Sequence, residues 1–588
     1  MKQTGNKIEI FLLAVLALLA LAVALGTAAL RQPADTAPQG SPAPTAEATA
    51  TPETAQDINT VGMTENKTIY SEDDPQSLVY FYVTVQRGDA GSDTDHTFAQ
   101  VNSAVRFAED SHVDNDILAR AVVQVGNDDG PQPGMLGYDA TESNATIRVR
   151  GNSSSVRPQK SYKLELDDEA GLWRGQSNIA LNKHNFDATR LRNKLYFDLL
   201  RPVEDISSLR TQFVRLYIKD ETAGETTFTD YGLFTQAEVP TKKYLANHGL
   251  DSEGYLYKAI SFNFEMSDGL KNFDDPDFDQ AAFDKILSCK GRQDNQKLID
   301  LVNLIADRSV DINEIVGDYI DRDNYLTWLA YNILMGNNDT TVQNFYLYSP
   351  LNSQKWFFIP WDGDNCLHWQ EDEVEGLTGN YGSWEHGVAN YWGVLLHQRF
   401  LKNEANRAEL AAKVDELHET INRDTVNALA QQYDQVVRPY ALAMPDFYYL
   451  GNTAAERDAI LAGLGDQVEL AYQQFYDSLH ELMPFFLYQP VQDGQTVLFR
   501  WEDAYDFDNQ PITYRLRVAA TPDFANPVVD VAGLTGTEYP VPADQLPAGT
   551  WYFAVTAETQ DGRTAPAMNK IQVSDVYYPG VDRMEVTP

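Results

Sequence analysis

Cysteine is nearly absent from this chain of 588 residues, which contains two, Cys289 and Cys366. Two cysteines cannot build the disulfide framework by which small secreted domains compensate for a small core. Cys366 follows the polar run of residues 361–364, and we interpret it as a buried, unreactive thiol. A single disulfide between the two cysteines is the alternative, and it would suit a protein outside the cytoplasm.

Basic residues are also scarce. The chain has 45 Lys and Arg residues against 86 Asp and Glu residues, which gives a net charge of −41. Because such a surface repels a phosphate backbone, we expect no binding of nucleic acid. We interpret the acidity as a well-solvated surface. Among the histidines, His184 and His368 lack the spacing of metal ligands and are predicted to be structural.

A long apolar run, residues 10–30, follows Lys2 and Lys7. A run of this length can cross a bilayer of about 30 Å, and basic residues on its short side favour an N-inside orientation. We therefore predict a signal anchor, a transmembrane helix, over residues 1–30, with cleavage near Ala28 as the alternative. No cysteine follows directly, which argues against a lipoprotein anchor.

The rest of the chain is long enough for two or more domains, and its hydrophobic content of 43% suffices for globular folding. Residues 31–60, rich in Pro, Ala and Thr, are predicted to be an extended linker. Residues 61–485 are rich in strand patterns at first and in helix patterns later, so we predict an α+β domain of two lobes.

Periodicity and turn residues give the individual elements. The predicted strands of the first half are residues 77–85, 118–125, 145–149, 160–166, 212–218, 231–239 and 254–259. The predicted helices are residues 187–200, 242–245, 295–316, 322–335, 391–400, 404–421 and 425–433.

The C-terminal part has a different sequence pattern. Short strands at residues 498–501, 512–518 and 551–557 are separated by Gly, Pro and Asp turns. This spacing predicts a β-sandwich over residues 490–578. Its early Trp501 and late Tyr-Phe-Ala-Val run resemble a fibronectin type III module, to which we assign no catalytic role.

Three polar residues occur in an order with a known chemical use. Asp339 is followed five positions later by Asn344, and a hydrophobic strand then leads to Asp362-Gly363-Asp364. Protein kinases use this order: the first Asp meets the acceptor hydroxyl, while the Asn and the second Asp hold magnesium against the nucleotide phosphates. Asp364 is the rival of Asp362 as a metal ligand. The alternatives are a turn-capping role for Asp339 and a hydrogen bond to the catalytic loop for Asn344.

A second polar group lies in the strand-rich half. Arg150 leads into a turn of small residues, 151–155, and Lys160 opens the next predicted strand. Such a turn between two strands can present backbone amides and a cation to phosphates. Lys160 shares the parity of the apolar Tyr162, whereas Lys163 points to the other face, so Lys160 is the preferred phosphate contact. Arg150 is a further candidate for binding phosphate, or it braces the turn.

Several motifs in a fixed order carry a resemblance to one family. They are residues 145–154, 160–162, 191–193, 231–238, 256–259, the pair Asp339 and Asn344, and residues 360–364. Over about residues 70–480 the chain resembles the CotH kinase family, the spore coat protein H group of atypical kinases. The resemblance implies a divergent protein-kinase-like fold that transfers phosphate from ATP, with Mg²⁺ or Mn²⁺, to protein serines.

The resemblance also implies individual roles. These are catalysis for Asp339, metal binding for Asn344 and Asp362, a phosphate contact for Lys160 and a place in the nucleotide pocket for Glu238. An ion pair with Lys242 or Lys243 is the alternative for Glu238. Gly363 stands where many relatives have a larger apolar residue, but both flanking Asp residues are kept.

Together these features predict a single-pass protein of the cell membrane that phosphorylates Ser or Thr residues of a surface or coat protein outside the cytoplasm. A secreted kinase follows if the anchor is cleaved. Because ATP is scarce outside the membrane, the alternative is a non-catalytic, kinase-like scaffold that displays its C-terminal module for adhesion. A hydrolase acting through Asp339 and Asp362 would leave Asn344 unexplained.

Overall fold

The computed structural model describes residues 62–105, 117–151, 153–574 and 576–586. The predicted anchor over residues 1–30 and the linker over residues 31–60 lie outside the described residues. Within the described ranges, every helix is too short or too polar to span a bilayer.

A sheet of eight strands forms the first half of the described chain. Its strands are β1 (Leu78–Gln86), β2 (Ala119–Asn127), β3 (Gly130–Pro131), β4 (Ala145–Arg150), β5 (Ser161–Leu166), β6 (Asn178–Asn182), β7 (Thr211–Asp220) and β8 (Thr229–Ala237). Their order in space is β1-β7-β8-β6-β5-β4-β2-β3, and β1 also pairs with β2, so the path of strands closes on itself. Alternate side chains of β4 and β5 fill the enclosed core, as the sequence pattern predicts for these strands.

A second sheet lies among the helices. Its strands are β9 (Tyr255–Ala259), β10 (Leu287–Cys289), β11 (Phe345–Ser349) and β12 (Phe357–Pro360), in the order β10-β9-β11-β12. The helices of the described chain are α1 (Phe98–Ser103), α2 (Arg192–Leu200), α3 (Lys242–Asn247), α4 (Gln280–Asp284), α5 (Gln296–Ala306), α6 (Ile312–Asp318), α7 (Arg322–Leu334), α8 (Trp369–Glu375), α9 (Leu395–Leu401), α10 (Glu404–Thr420), α11 (Arg423–Ala441), α12 (Asp446–Tyr449) and α13 (Ala454–Ser478). The chain is therefore an α+β protein, as predicted.

Helix α7 is the central element of the larger hydrophobic core. Asp321 caps it by accepting the backbone N–H of Asn324 over 3.0 Å, and every residue from there to the end of the helix is buried. Trp328 stacks on Phe358 of β12, with ring centroids 4.6 Å apart. Since the helix is packed on all faces, its C-terminal end is a rigid support for the loop that follows.

The C-terminal region consists of short strands. They are β13 (Leu482–Met483), β14 (Val491–Asp493), β15 (Thr496–Arg500), β16 (Tyr505–Asp506), β17 (Ile512–Ala519), β18 (Val529–Leu534), β19 (Glu538–Pro542), β20 (Gly549–Thr559), β21 (Thr564–Pro566), β22 (Lys570–Val573), β23 (Val576–Pro579) and β24 (Val581–Val586). One sheet contains β14, β15 and β19, a second contains β17, β18, β20, β21 and β24, and residues of both share one hydrophobic core. The fibronectin type III assignment stays a prediction.

The two cysteines are not bonded to each other. Cys289 and Cys366 are both free thiols, so the single-disulfide alternative is wrong. The Sγ atom of Cys366 lies 3.7 Å from the carbonyl of Arg192, within the core. Burial also raises the pKa of the Cys366 thiol well above its ordinary value, which fits the predicted unreactive role.

Candidate active site

Asp339 lies just beyond the end of α7. Gly336, with a φ of +58°, turns the chain after the helix into a short 3-10 helix over Asn338–Thr340. The side chain of Asn338 donates from Nδ2 to the carbonyl of Glu385 over 2.7 Å. The loop that carries Asp339 is therefore held on one side by α7 and on the other by the segment around Glu385.

The carboxylate of Asp339 receives two amide hydrogen bonds. Gln343 donates from Nε2 to Oδ1, and Asn344 donates from Nδ2 to Oδ2 over 2.8 Å. The structure thus brings Asp339 and Asn344 together. The sequence pattern did not indicate Gln343. Only its position between Asp339 and Asn344 could have suggested a role at the site.

The register of one hairpin places the remaining candidates beside this pair. β11 pairs with β12 so that Phe345 faces Pro360. The residues just outside that pair are Asn344 on one strand and Trp361 and Asp362 on the other. Asn344 and Asp362 have φ angles of +58° and +57°, which are uncommon for residues other than glycine. The surrounding packing therefore fixes a sharp turn at both strand ends.

Burial and neighbouring carboxylates raise the pKa of two Asp residues of the site. Removal from bulk water, together with Asp362 and Asp364, raises the pKa of Asp339 to about 7, although Gln343 and Asn344 act in the opposite direction. Burial and the neighbouring Asp364 raise the pKa of Asp362 to about 6. Repulsion of this kind favours a bound cation, which would neutralise the cluster.

Two cationic side chains flank Trp361 next to these carboxylates. Cζ of Arg150, at the end of β4, lies 5.8 Å from the centroid of the Trp361 ring, and Nζ of Lys258, on β9, lies 5.4 Å from it. Both cations lower the pKa of Asp362. The structure therefore places Arg150 at the site. Lys258 is a site residue that the sequence analysis missed. It could have been noticed because it lies in residues 256–259, one of the segments that carry the family resemblance.

Lys160 lies at the start of β5, close to the turn that precedes it. Its ammonium donates to the carbonyl of Ser155. The parity argument holds, because Tyr162 is buried whereas Lys163 turns outward and pairs with Glu165 over 2.9 Å. In this structure Lys160 closes the turn between β4 and β5, and its contact with phosphate stays a prediction.

Glu238 is fully buried in an ion pair. Its Oε2 lies 2.8 Å from Nε2 of His248 and accepts the backbone N–H of Arg210 over 3.1 Å. Lys242 pairs with Glu253 over 3.2 Å. The partner of Glu238 is therefore His248 rather than Lys242, and the role of Glu238 in a nucleotide pocket stays a prediction.

The two histidines near the site contact protein carboxylates. Nδ1 of His184 lies 3.5 Å from the carboxylate of Asp364, and Nδ1 of His368 pairs with Asp372. These contacts fit the predicted structural roles. His184 also lowers the pKa of Asp362, so its contact with Asp364 does not decide which of the two Asp residues is the metal ligand.

The oxygen groups of the site suit a hard divalent cation. Across the described ranges, no set of three or more His, Cys, Asp or Glu side chains is arranged to hold a metal ion by itself. Protein sites usually bind Mg²⁺ through one or two carboxylates together with substrate phosphates. Asp362, Asp364 and the amide of Asn344 supply oxygen atoms of the kind that such a cation prefers, and their binding of a metal stays a prediction.

A buried ionic network holds the loop that follows Asp362. The guanidinium of Arg192 is 1% exposed and forms ion pairs with Glu371 and Asp187. Its Nε also donates to the carbonyl of Leu367 over 3.1 Å. Leu367 has a φ of +51°, so the backbone of the loop is strained at the residue that accepts the hydrogen bond from Arg192. The network thus ties the start of α2 to the loop that carries the candidate metal ligand.

Similarity to solved structures is low. The Helicobacter pylori proinflammatory kinase CtkA matches 54% of this chain and 91% of its own, at 10% identity and a TM-score of 0.26. A chain of the Shewanella oneidensis MR-1 toxin–antitoxin complex of HipA, HipB and operator DNA matches 51% of this chain and 58% of its own, at 10% identity and a TM-score of 0.21. Scores in this range do not establish a shared fold.

Similarity in sequence is more informative. The inner spore coat protein H of Bacillus subtilis (strain 168) is 25% identical over 240 residues, which is 40% of this chain and 62% of that relative. The family model described as CotH kinase protein matches residues 147–488, more than half of the chain, and spans both strand-rich and helical parts together with the Asp339 site. On this match, the chain belongs to the CotH kinase family.

Proposed function

We propose that the protein transfers the γ-phosphate of ATP to Ser or Thr hydroxyls of a protein acceptor. The observation that carries the proposal is the convergence of Asp339, Asn344 and Asp362 at the paired ends of β11 and β12, with Arg150 and Lys258 beside them. Carboxylates for an acceptor hydroxyl and a metal, next to cations for phosphates, are the groups that phosphoryl transfer needs.

Asp339 is suited to orient the acceptor hydroxyl and accept its proton. Its pKa of about 7 leaves the carboxylate partly ionised at neutral pH, which is favourable for a general base. Gln343 and Asn344 each hold one of its oxygens, so the side chain keeps one orientation. The acceptor hydroxyl would therefore meet a base that is already in place.

Asn344 and Asp362 would hold the divalent metal, Mg²⁺ or Mn²⁺, with Asp364 close by. When bound, the metal neutralises charge on the nucleotide phosphates. Arg150 and Lys258 lie against the ring of Trp361 and supply positive charge to the same region. Lys160 at the neighbouring turn is the further candidate for a phosphate contact.

The acceptor and the place of action follow from the sequence. The apolar residues 10–30 with Lys2 and Lys7 before them support a membrane anchor with the kinase domain outside the cytoplasm. A surface or coat protein that contains Ser or Thr is then the acceptor within reach. Secretion after cleavage near Ala28 is the other route to the same compartment.

The experiment uses the full-length chain with labelled ATP, Mg²⁺ or Mn²⁺, and dephosphorylated casein as the acceptor probe. We expect transfer by the wild type and a loss of about 10²- to 10⁴-fold in Asp339→Asn, because a positioned base contributes about that much. Asp362→Asn should lose metal-dependent nucleotide binding as well. Asp493→Asn, at an exposed position of the C-terminal region, is the matched control and should keep full activity.

Wild-type protein that neither binds ATP nor transfers phosphate would defeat the kinase proposal and favour the non-catalytic scaffold. Activity that survives intact in both Asp339→Asn and Asp362→Asn would place the reaction elsewhere in the chain.

A further inference from the structure

An ion pair joins the C-terminal strands to the segment that follows the candidate metal loop. Nζ of Lys570, the first residue of β22, lies 3.0 Å from Oε1 of Glu385. The ammonium also lies over two rings, 5.6 Å from the centroid of Tyr381 and 5.5 Å from that of Tyr577. Lys570 and Glu385 are only 17% and 20% exposed, so the pair is partly shielded from water.

Glu385 connects this ion pair to the catalytic loop. Its Oε1 also accepts the backbone N–H of Gly382 over 2.7 Å, which orders its own segment. Its carbonyl accepts Nδ2 of Asn338 over 2.7 Å, and the carbonyl of Asn338 accepts Nδ2 of Asn390 over 3.2 Å. Asn338 directly precedes Asp339. The C-terminal strands are thus connected to Asp339 through Glu385, which contacts Lys570 by its side chain and Asn338 by its carbonyl.

Apolar contacts reinforce the ion pair. The ring of Trp392 lies 5.3 Å from that of Tyr505 and 5.6 Å from that of Phe507. The methyl of Met568 lies so close to Gly393 that a Cβ atom there would be 3.1 Å away. Tyr505, Phe507 and Met568 all pack against the larger core of the kinase part. The C-terminal region is therefore seated on residues 378–393 and is not a free module on a linker.

The same segment forms a wall beside the catalytic loop. A cavity of about 110 Å³ is lined by Asn338, His368, Ser383, Glu385 and Gln467, among others. Residues 382–387 supply one side of it, and α13 supplies another. A shift of residues 378–393 would change this cavity and the hydrogen bond that holds Asn338.

We propose that the C-terminal β-rich region is an intramolecular brace, which fixes residues 378–393 through Lys570 and Met568 and thereby holds the loop of Asp339 in its working position. The proposal rests on the kinase function proposed above. Lys570 and Glu385 are positioning residues, because they act on Asp339 through Asn338 and do not reach the reacting atoms.

The test compares four single variants and one double variant of the full-length chain. Lys570→Met removes the charge of the brace, and Glu385→Gln removes its partner while keeping an acceptor for Gly382. Lys570→Arg keeps the charge. Arg515→Met is the matched control, because it breaks an ion pair of the same region, 2.7 Å to Asp530, that does not face residues 378–393.

Two readouts are measured, amide hydrogen exchange over residues 378–393 and steady-state kinetics with ATP and casein. In Lys570→Met and Glu385→Gln we expect exchange in this segment to rise about fivefold or more. The kcat should fall about tenfold or more, because small displacements of a catalytic group have large effects, while KM for ATP stays constant. Lys570→Arg should restore both readouts, and Lys570→Met combined with Glu385→Gln should show no more than the larger single effect.

Unchanged exchange and kcat in both Lys570→Met and Glu385→Gln would overturn the brace, as would an equal change in Arg515→Met. If Lys570→Met does not fold, Glu385→Gln decides the matter, since it leaves the C-terminal strands intact. An inactive wild type would defeat the kinase function, and the exchange measurement would still decide on the brace.

Discussion

Position 363 illustrates how tightly one residue is constrained at the site. A Cβ atom on Gly363 would lie 2.2 Å from Cγ of Tyr196. Tyr196 cannot move aside, because its hydroxyl donates to Asn332 over 2.7 Å within the core and its ring is fully buried. Glycine is therefore required here by the approach of the Tyr196 ring.

The substitution Gly363→Ala tests this constraint. We expect it to lower the free energy of unfolding by about 1–3 kcal/mol through overpacking, and to displace Asp362 so that metal-dependent ATP binding weakens. Thermal unfolding and ATP titration with and without Mg²⁺ measure the two effects. Gly536→Ala is the control, because a Cβ atom there meets open space. Unaltered stability and binding in Gly363→Ala would show that Tyr196 adapts.

His248 gives a prediction on pH. It lies between Glu65 and Glu238, at 2.5 Å and 2.8 Å, and is fully buried. Burial alone would lower the pKa of His248, but the two carboxylates outweigh it and raise the pKa to about 9. Because this value exceeds the unfolded pKa of about 6.5, the stabilisation is complete below pH 6.5 and is lost as the pH rises through 9.

In the variant His248→Gln we therefore expect a stability deficit that is largest near pH 6 and shrinks towards pH 9.5. The part of the deficit that depends on pH is about 3 kcal/mol, the equivalent of the pKa shift. Urea unfolding at pH 6, 7.5 and 9.5 provides the measurement, with the exposed His480→Gln as control. A deficit independent of pH would mean that His248 is neutral in the folded protein.

Sequence order located Asp339, Asn344 and Asp362, and the turn between two predicted strands indicated Arg150. Asp339 and Asn344 share a loop, and Asp362 follows at the end of the next hairpin, so local order was enough. Lys258 reaches the site because β9 pairs with β11, with Lys258 opposite Tyr346. That pairing joins residues far apart in the chain, and no local pattern specifies it.

At the scale of elements, most predicted strands and helices are present, although the helix Ala454–Ser478 was not predicted. Two of the differences in helix bounds arise at capping residues. The helix predicted over residues 295–316 is two helices, because Asp311 accepts the N–H of Asn313 and starts a new one. The helix predicted from residue 187 starts at Arg192. There Asp187 accepts the N–H of Arg192 over 2.9 Å, and Arg190 has a φ of +63°. Side-chain caps of this kind leave the apolar periodicity unchanged, so periodicity alone did not reveal them.

The junction of α2 with the metal loop gives a prediction for Arg192→Lys. A lysine keeps the charge, but it cannot pair with Glu371 and donate to the carbonyl of Leu367 in the same geometry. We expect the free energy of unfolding to fall by about 1–3 kcal/mol, since a buried acceptor loses its donor. The kcat should fall about tenfold or more, because the loop that presents Asp362 loosens.

Thermal unfolding and kinetics at increasing Mg²⁺ concentrations measure these effects, and higher Mg²⁺ should recover part of the lost activity. Arg423→Lys, at an ion pair with Asp466 in which both side chains are more than half exposed, is the control and should behave like the wild type. Full activity of Arg192→Lys at low Mg²⁺ would contradict a role for the network in holding the metal loop.

At the scale of the whole molecule, several of the scarce cationic side chains in the described ranges are buried. Arg192, Lys183, Lys194 and Arg457 are buried to within 2% and pair with carboxylates. Because each of these buried cations faces a carboxylate, their burial leaves the balance of charge on the surface unchanged. The surface stays acidic, and the absence of nucleic-acid binding stays a prediction. The change in composition near residue 490 indicated a new region. Its contact with the larger core is made by Tyr505, Phe507 and Met568, which lie in turns and short strands. The sequence pattern of such segments does not predict which residues they contact.

The membrane anchor is the prediction that concerns the whole chain. Expressed in a bacterium, the full-length protein should sediment with membranes, resist extraction by high salt and dissolve in detergent, because residues 10–30 are apolar enough to span a bilayer. Deletion of residues 2–30 should move it to the soluble fraction with the kinase part intact. Protease added to spheroplasts should cut the linker over residues 31–60 if the domain lies outside, as Lys2 and Lys7 favour.

The N-terminal sequence of the purified protein separates the two routes out of the cytoplasm. A mature chain that begins near residue 28 and appears in the medium would replace the anchor with a secreted enzyme. Protection of the linker from external protease would reverse the orientation and put the domain in the cytoplasm, where ATP is abundant. The same active site would then phosphorylate an intracellular acceptor. The protease experiment on spheroplasts therefore decides which proteins are accessible to Asp339.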